Sequence, residues 1–267
     1  MIVLKLGGSI LEQIDPAFFD QCRKLWQEGI PFIVVHGGGP FVSGWMKQLG
    51  KEPVFVDGRR VTDEDTLEIV QMVLSGQVNK NLVAELGKRG VPALGISGAD
   101  LKMLQVVPKD AGLGLVGEVT EVNKKAFLQI IEAGWVPVLA PLGIDQSGQI
   151  FNVNADEAAG AVAQEMGAGQ LVIVSDVDGI FIQEGDHKRL LTCATPEMVE
   201  RYIEEGQITG GMIPKVRSAM KCLENDVREV WIVNGEKARC MDGENYFGQG
   251  TCLLQEEVSK NVSVSHI

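Results

Sequence analysis

The chain has 267 residues, 45% apolar and 22% charged, a composition that excludes disordered, collagen-like and small disulfide-stapled proteins. Its 36 acidic side chains outnumber its 24 basic ones, for a formal charge of -12, so its field repels polyanions and we expect no nucleic-acid or anionic-membrane partner. No apolar run approaches the ~20 residues that cross a bilayer and no cleavable leader opens the chain, which indicates a cytoplasmic protein.

The first predicted elements are two short apolar runs that end in glycines, with a helix between them. Ile2 to Leu6 is followed by Gly7-Gly8, and this pattern is typical of a buried strand entering a turn. Pro31 to Val35 repeats the pattern before Gly37-Gly38-Gly39. Between them, Asp15-Pro16 predicts a helix start, with an N-cap oxygen and a proline at the first helical position.

The rest of the chain continues this alternation. Predicted helices open at Pro40 and at Thr62 and cover Gln77 to Arg89, Lys124 to Ala133, Asn154 to Gly167, Thr195 to Gly206 and Met212 to Leu223. Predicted strands are Val91 to Ile96, Val136 to Ala140, Leu171 to Ser175, Glu229 to Val233 and Thr251 to Leu254. Leu101 to Val122 differs, because short alternating runs broken by Pro108 and glycines predict an inserted β-hairpin. The pattern predicts an α/β fold whose mostly parallel sheet is covered on both faces and binds ligands at the carboxyl ends of its strands.

Two glycine-rich turns are candidate anion sites. Lys5 stands just before Gly7-Gly8 and offers a positive charge beside a backbone that a ligand can approach closely. A solvated lysine beside a tight turn is the alternative. The segment His36 to Pro40 runs from strand through three glycines to a helix start, where free N–H groups bind anions. We expect His36 to pack and orient this loop rather than to act as a base.

Two polar clusters complete the candidate chemistry. Alternation places Asn152 and Asn154 on one face of an extended stretch, and Asp156 falls in the first turn of the next helix. Capping of that helix requires only one of these three polar residues. Lys215 lies near the start of another helix, where the helix dipole disfavours a lysine unless an anion binds there too.

Two lysines, glycine turns and a carboxylate together indicate phosphoryl transfer. The phosphate loop GxxxxGK[ST], the HRD and DFG sequences of protein kinases and the dinucleotide fingerprint GxGxxG do not occur in the sequence, which indicates a different nucleotide-binding architecture. The five cysteines are scattered and never spaced as CxxC. They predict reduced thiols, without a disulfide framework or a protein-held metal.

Six segments in order along nearly the whole chain resemble the motifs of the amino acid kinase family. They are Lys5-Leu-Gly-Gly-Ser, His36-Gly-Gly-Gly-Pro, Gly58-Arg-Arg60-Val-Thr62, Asn152-Val-Asn-Ala-Asp156, Ser175-Asp-Val-Asp-Gly179 and Gly210-Gly-Met-Ile-Pro-Lys215. The resemblance implies a three-layer αβα sandwich on a central, mostly parallel sheet of about eight strands. It implies a single domain over residues 1–267, with an N-lobe of about residues 1–165 for the acetylamino acid and dimerisation and a C-lobe of about residues 166–267 for ATP.

The resemblance also implies an activity, namely ATP-dependent phosphorylation of the side-chain carboxylate of N-acetyl-L-glutamate in arginine biosynthesis. Mg²⁺ would be carried on the ATP phosphates. Two alternatives stay open. One is the same reaction on N-acetyl-aminoadipate in lysine biosynthesis, whose one extra methylene is worth only ~1–3 kcal/mol of discrimination. The other is a non-catalytic nucleotide- or anion-binding protein on the same fold.

Residue roles follow from the resemblance, position by position. Lys5 and Lys215 would stabilise the transferring phosphoryl group, Asp156 would orient both lysines, and Gly8, like Gly38, would donate its N–H to phosphoryl oxygens. The acetylamino acid would be bound by Gly38, Gly39, Arg60, Asn152 and Asn154. The nucleotide would be bound by Asp176, Val177, Asp178, Gly179, Ile180, Phe181, Gln207, Ile208, Thr209 and Gly211. Arg59 departs from the family pattern, which has an apolar residue there.

Elementary chemistry supports these roles. A carboxylate is already ionised at neutral pH, so the nucleophile needs no general base, and catalysis reduces to positioning and charge neutralisation. The planar fork of Arg60 suits the α-carboxylate.

Assembly is predicted from the start of the chain. Arginine-inhibited members of the family are hexamers joined through an additional N-terminal helix, and only Met1 to Leu4 precede Lys5, too few for a stable helical turn. We expect a homodimer, formed through the N-lobe, that responds little to L-arginine. Apolar helical faces between Thr62 and Arg89 would contribute to its interface.

Overall fold

The computed structural model describes residues 1–184, 187–210, 212–223, 227–236, 247 and 249–255. In these ranges the strands are β1 (Ile2–Leu6), β2 (Phe32–His36), β3 (Phe55–Val56), β4 (Arg59–Arg60), β5 (Ala93–Ser97), β6 (Leu104–Pro108), β7 (Gly117–Val122), β8 (Val136–Ala140), β9 (Leu142–Ile144), β10 (Ile150–Asn152), β11 (Gln170–Ser175), β12 (Ile180–Glu184), β13 (His187–Leu191), β14 (Cys193–Ala194), β15 (Glu229–Asn234) and β16 (Gly250–Leu254). The α-helices are α1 (Pro16–Gln27), α2 (Gly39–Gln48), α3 (Glu64–Gln71), α4 (Asn79–Lys88), α5 (Lys124–Glu132), α6 (Ala155–Met166), α7 (Pro196–Glu204) and α8 (Met212–Leu223). No described helix is both long and apolar enough to cross a membrane.

The main sheet is built around β1. Within the described residues it has eight strands in the order β14-β16-β15-β11-β1-β2-β8-β5. Neighbouring strands run parallel, except that β15 and β16 are antiparallel. The chain extends from β1 to one side through β2 and later to the other side through β11. Strand order therefore reverses at β1, and a ligand crevice is expected at the carboxyl ends of the strands there.

Alternation along β1 assigns its side chains to the two faces of the sheet. Ile2, Leu4 and Leu6 belong to one apolar core, which contains residues of α1, α2, α3 and α4. Val3 belongs to the other, which contains residues of α5, α6, α7 and α8. The three layers confirm the predicted αβα sandwich. Because side chains alternate with a period of two, Lys5 leaves the sheet on the same face as Val3, where α6 packs.

The predicted hairpin insertion is confirmed and is part of a second sheet. β6 pairs antiparallel with β7, and in the described chain these strands join β9 and β10 in the order β10-β9-β6-β7. β9 and β10 were not predicted, because each has only three residues around a polar turn. They place Asn152 at the end of β10.

Two further elements differ from the sequence prediction. The helices predicted at Thr62 and at Gln77 form one continuous helical stretch, because a π-helical segment, Met72–Val78, joins α3 to α4. A π segment keeps the chain helical while shifting the phase of its side chains, so the apolar pattern changes without a break in the helix. The hairpin of β12 and β13 was missed, because the first residues of β13 are exposed and polar and give no alternating signal.

Candidate active site

Three turns meet at the carboxyl edge of the sheet. In the strand register, Leu6 lies opposite His36 on one side and opposite Val174 on the other. Strands β1, β2 and β11 therefore end at nearly the same level. The turns that follow them carry the first glycine pair, the three-glycine segment and the segment from Asp176 to Gly179.

The first two turns pack backbone against backbone. A Cβ atom on Gly8 would lie 2.7 Å from Gly38 N and 2.8 Å from Gly39 N, and one on Gly38 would lie 2.5 Å from Leu74 Cδ2. Glycine is required at Gly8, because the atoms that a Cβ would meet belong to the backbone, whereas at Gly38 the close atom is the end of a leucine side chain. Within the described chain, neither the Gly8 N–H nor the Gly38 N–H donates a backbone hydrogen bond. Both groups are thus available to an anion.

A cavity of about 340 Å³ opens beside these turns. The predicted residues that line it are Lys5, Gly8, Gly38, Gly39, Arg60, Asn152, Asn154 and Asp156. The fold thus brings together the residues that the sequence assigned to the acetylamino acid and most of those it assigned to catalysis. Lys215 is not in this wall.

Lys5 and Asp156 form an ion pair across the cavity wall. Lys5 Nζ lies 2.8 Å from Asp156 Oδ1, and the lysine side chain is only 11% exposed. Asn154 caps α6, since its Oδ1 accepts hydrogen bonds from the N–H groups of Asp156 and Glu157. This cap fixes the helical turn that presents Asp156 to Lys5.

Arg60 is buried at the opposite wall. Its Nη2 donates to Gly39 O at 2.9 Å and to Ser43 Oγ at 2.7 Å, and its Nη1 donates to Met46 Sδ at 3.0 Å. The guanidinium lies over the Phe55 ring, 4.7 Å from its centroid. Burial lowers the pKa of Arg60, but an arginine remains charged in a protein. No described carboxylate forms an ion pair with it, so its charge is available to an acidic ligand.

Thr62 is a site residue to which sequence reasoning gave no role. Its hydroxyl is fully buried, donates to Arg60 O at 2.9 Å and accepts from Asn152 Nδ2 at 3.1 Å. It therefore links the strand that carries Arg60 to the strand that carries Asn152. The sequence signal was its place in the Gly58 to Thr62 motif.

His36 is packed as the sequence predicted. It is fully buried, its Nε2 lies 3.2 Å from Asn79 Nδ2 and its Nδ1 lies 2.8 Å from Gly37 O. Because Asn79 Nδ2 can only donate, Nδ1 carries the ring proton and donates to Gly37. Burial lowers the pKa of His36 to about 4, so the ring is neutral at pH 7 and holds the glycine turn.

The second lysine has a different partner from the predicted one. Lys215 Nζ lies 2.8 Å from Asp176 Oδ1, whereas in this structure Asp156 is paired with Lys5. A hydrogen bond from Lys215 holds the pKa of Asp176 below its usual value. This ion pair joins the turn after β11 to the first turns of α8, and so joins two segments predicted to bind nucleotide.

The other residues predicted to bind the nucleotide differ in burial and in their hydrogen-bond partners. Asp178 accepts from Asn234 Nδ2 at 2.6 Å, and the Ile180 N–H donates to Thr251 Oγ1 at 2.7 Å. The side chains of Ile180 and Ile208 are buried in the core, so these two residues can offer a nucleotide only backbone groups. Thr209 is exposed, Val177, Phe181 and Gln207 are partly buried, Gly179 is buried, and Gly211 lies outside the described residues.

The cysteines and the potential metal ligands are further candidates for chemistry. Cys22, Cys193 and Cys252 are free thiols. In the described part of the chain, no group of three or more His, Cys, Asp or Glu side chains is arranged to hold a metal ion.

Comparisons with known proteins give matches over most of the chain. Residues 1–234 match the model of the amino acid kinase family. The chain is 47% identical over 256 residues to the acetylglutamate kinase of Geobacillus kaustophilus (strain HTA426), covering 96% of each chain. It is 42% identical to the acetylglutamate kinase of Halalkalibacterium halodurans, covering 98% of this chain and 97% of that one. Among solved structures it resembles smu.665 from Streptococcus mutans UA159, with a TM-score of 0.81, 31% identity and coverage of 95% and 98%.

Proposed function

The chain belongs to the amino acid kinase family, and we infer that it transfers the γ-phosphoryl group of ATP to the side-chain carboxylate of N-acetyl-L-glutamate, a step of arginine biosynthesis. The observation that carries this inference is the meeting of Arg60 with Lys5 and two glycine turns in one cavity. A dicarboxylate needs a cation at each end, and the relatives named above act on acetylglutamate.

The acetylamino acid binds with its α-carboxylate toward Arg60. This guanidinium is buried and fixed by Gly39 and Ser43, so little entropy is lost when it binds a ligand. Asn152 is held near Arg60 by its hydrogen bond to Thr62, and its side-chain amide binds the acetylamino group. The side-chain carboxylate then points toward Lys5 and the glycine turns.

Phosphoryl transfer needs charge neutralisation rather than a base. The acceptor carboxylate is ionised at neutral pH, and His36 is neutral and turned toward backbone and Asn79. Lys5 and the N–H groups of Gly8 and Gly38 stabilise the charge shared by acceptor and phosphoryl group, and Lys215 acts from the nucleotide side. Each lysine is held by its own carboxylate, Asp156 or Asp176.

ATP binds along the turn after β11 and the segment before α8. The Asp176–Lys215 pair places a cation where these segments meet, which suits a polyphosphate. Mg²⁺ would be carried on the nucleotide phosphates, where it would neutralise part of their charge. We propose a lobe boundary near residue 165, with the acetylamino acid on one side and the nucleotide on the other.

We also propose that the chain forms a homodimer through its N-lobe. The apolar residues that suggested an interface between Thr62 and Arg89 are mostly core, since Leu67, Val70 and Leu74 are buried. Met72 is an exposed apolar side chain in that range, and Trp45, Leu49, Phe55 and Val56 are exposed earlier in the N-lobe. Light scattering on wild-type protein and on Met72→Glu tests this, with Trp135→Glu, at the amino edge of the sheet, as control. A wild-type mass of one chain or of six chains contradicts the proposal.

The activity is tested by ADP release from Mg-ATP with a panel of acceptors. N-acetyl-L-glutamate, N-acetyl-L-aminoadipate, L-glutamate and L-aspartate are compared at equal concentration, and the acyl phosphate is trapped with hydroxylamine. We expect the highest kcat/KM with N-acetyl-L-glutamate. A higher kcat/KM with N-acetyl-L-aminoadipate would assign the chain to lysine synthesis. If no acceptor increased ADP release, the chain would be a non-catalytic nucleotide- or anion-binding protein.

A further inference from the structure

A cluster of three charged side chains lies at the edge of the cavity, with Arg59 in its wall. Glu157 Oε1 lies 2.7 Å from Arg59 Nη2, and Glu157 Oε2 lies 2.7 Å from Lys109 Nζ. The exposed fractions of the three side chains are 24% for Glu157, 33% for Arg59 and 17% for Lys109. The proposed mechanism does not use this cluster.

The cluster is built on residues adjacent to the two ends of the site. Arg59 precedes Arg60 in β4 and Glu157 follows Asp156 in α6. Because side chains alternate along a strand, Arg59 and Arg60 point to opposite sides, and the contacts agree, since Arg60 bonds to α2 and Arg59 bonds to α6.

These links close a ring around the cavity. Starting from Arg60, the ring passes through the peptide bond to Arg59, the ion pair to Glu157, the peptide bond to Asp156 and the ion pair to Lys5. From Lys5 the ring returns through the two glycine turns, which pack on each other. It closes at the hydrogen bond that Arg60 donates to Gly39 O. The Arg59–Glu157 ion pair is the part of the ring that connects the substrate-carboxylate end directly to the phosphoryl end.

The charge state of Glu157 suits this role. Burial acts to raise the pKa of Glu157, but hydrogen bonds from Lys109 and Arg59 outweigh burial and hold the pKa below its usual value. The side chain is therefore ionised at neutral pH. With two cationic partners and partial burial, this network is worth more than an isolated surface pair.

We propose that Glu157, through Arg59, is a positioning residue that fixes the separation of Arg60 and Lys5 and thereby selects the chain length of the acidic substrate. This inference rests on the proposed function. Glu157 does not line the substrate cavity, whereas Arg59 does. An effect of Glu157 on substrate choice must therefore pass through Arg59 and the α6 turn rather than through direct contact.

The test compares kcat/KM for N-acetyl-L-glutamate and N-acetyl-L-aminoadipate in wild type, Arg59→Gln, Glu157→Gln and the double variant. A methylene difference gives roughly 10- to 200-fold discrimination in a well-defined site. We expect each single variant to lose most of this ratio and the double variant to lose no more than either single one. KM for ATP and the melting temperature serve as checks that the fold persists. Arg89→Gln removes another partly buried arginine that pairs with an acidic residue, Glu85, and should keep the wild-type ratio.

Several outcomes would overturn the proposal. They are an unchanged substrate ratio in Glu157→Gln, additive losses in the double variant, or a wild-type enzyme that does not distinguish the two substrates. Calorimetric binding of both acetylamino acids, without nucleotide, provides a readout independent of turnover. A wild-type protein that binds neither acid and releases no ADP would instead refute the proposed function, so the two failures are distinguishable.

Discussion

The ammonium of Lys5 and the carboxylate of Asp156 lie 2.8 Å apart, although one residue lies near the end of the first strand and the other in the first turn of a helix more than half the chain away. Lys5 is nearly buried and Asp156 is about one-third exposed. The ion pair therefore fixes Lys5 in the cavity wall, while the side of the pair at Asp156 stays accessible from the cavity. Its geometry leads to the first prediction.

Lys5→Ala should lower kcat by about 100- to 1000-fold, the usual effect of removing one group that stabilises transition-state charge. The dissociation constant of ATP should change only a few-fold, because the lysine acts mainly when charge is shared between donor and acceptor. Asp156→Asn keeps the shape but removes the charge that holds Lys5, so it should lower kcat by a smaller factor. Single-turnover kinetics with nucleotide titration measure both, and a wild-type kcat in Lys5→Ala would remove this residue from the mechanism.

Lys215→Ala should likewise lower kcat by about 100-fold or more and leave ATP affinity within a few-fold. Lys221→Ala, on the same helix, is the matched control and should behave as wild type, because Lys221 lies in the last turn of α8. If Asp176→Asn proves indifferent while Asp156→Asn mimics Lys215→Ala, Asp156 rather than Asp176 positions this lysine during turnover.

Arg60→Lys should raise KM for N-acetyl-L-glutamate by about 10- to 100-fold, the loss of one charge-assisted hydrogen-bonding fork. The lysine keeps the charge but not the planar donors that bind Gly39 and Ser43. KM for ATP should stay nearly fixed. Steady-state kinetics on both substrates decide this, since a rise confined to ATP would mean that the two lobes are assigned backwards.

Gly8→Ala should destabilise the protein by about 1–3 kcal/mol, because the new methyl group would press on the backbone N atoms of Gly38 and Gly39. Gly39→Ala is the matched control, since no atom lies within 4 Å of a Cβ placed there. Urea unfolding of the two variants tests the close approach of the turns. Equal stability of both variants would contradict it.

The buried imidazole of His36 makes a prediction for pH. Burial lowers its pKa from the ordinary value of 6.5 to about 4 in the folded chain. Between pH 6.5 and pH 4 the imidazole is therefore protonated in the unfolded chain and neutral in the folded chain. Stability should therefore fall as pH drops from 6.5 toward 4, by about 2 kcal/mol between pH 7 and pH 5 from this residue alone. Urea unfolding of wild type and His36→Asn at both pH values checks it. The variant should lose less stability than wild type on acidification. Equal losses in the two proteins would mean that a group other than His36 takes up the proton.

Local sequence determined most of the helices and of the main-sheet strands, and the face of β1 on which Lys5 emerges. Alternation in β1 sends Lys5 to the face opposite Leu4, and Asp15-Pro16 starts α1 where predicted. The glycine motifs marked where backbone must approach backbone. These features depend on neighbouring residues, because strand period, helix capping and glycine geometry are set over a few positions.

Only the tertiary structure decided the partners. Nothing near Lys215 in sequence indicated that Asp176 would hold it, and nothing near Arg59 indicated Glu157. The hydroxyl of Thr62 gained its role because β10 brought Asn152 beside it. Such contacts depend on how α6, α8 and the inserted hairpin pack on the sheet. That packing is set by the apolar surface the whole chain buries rather than by any local pattern.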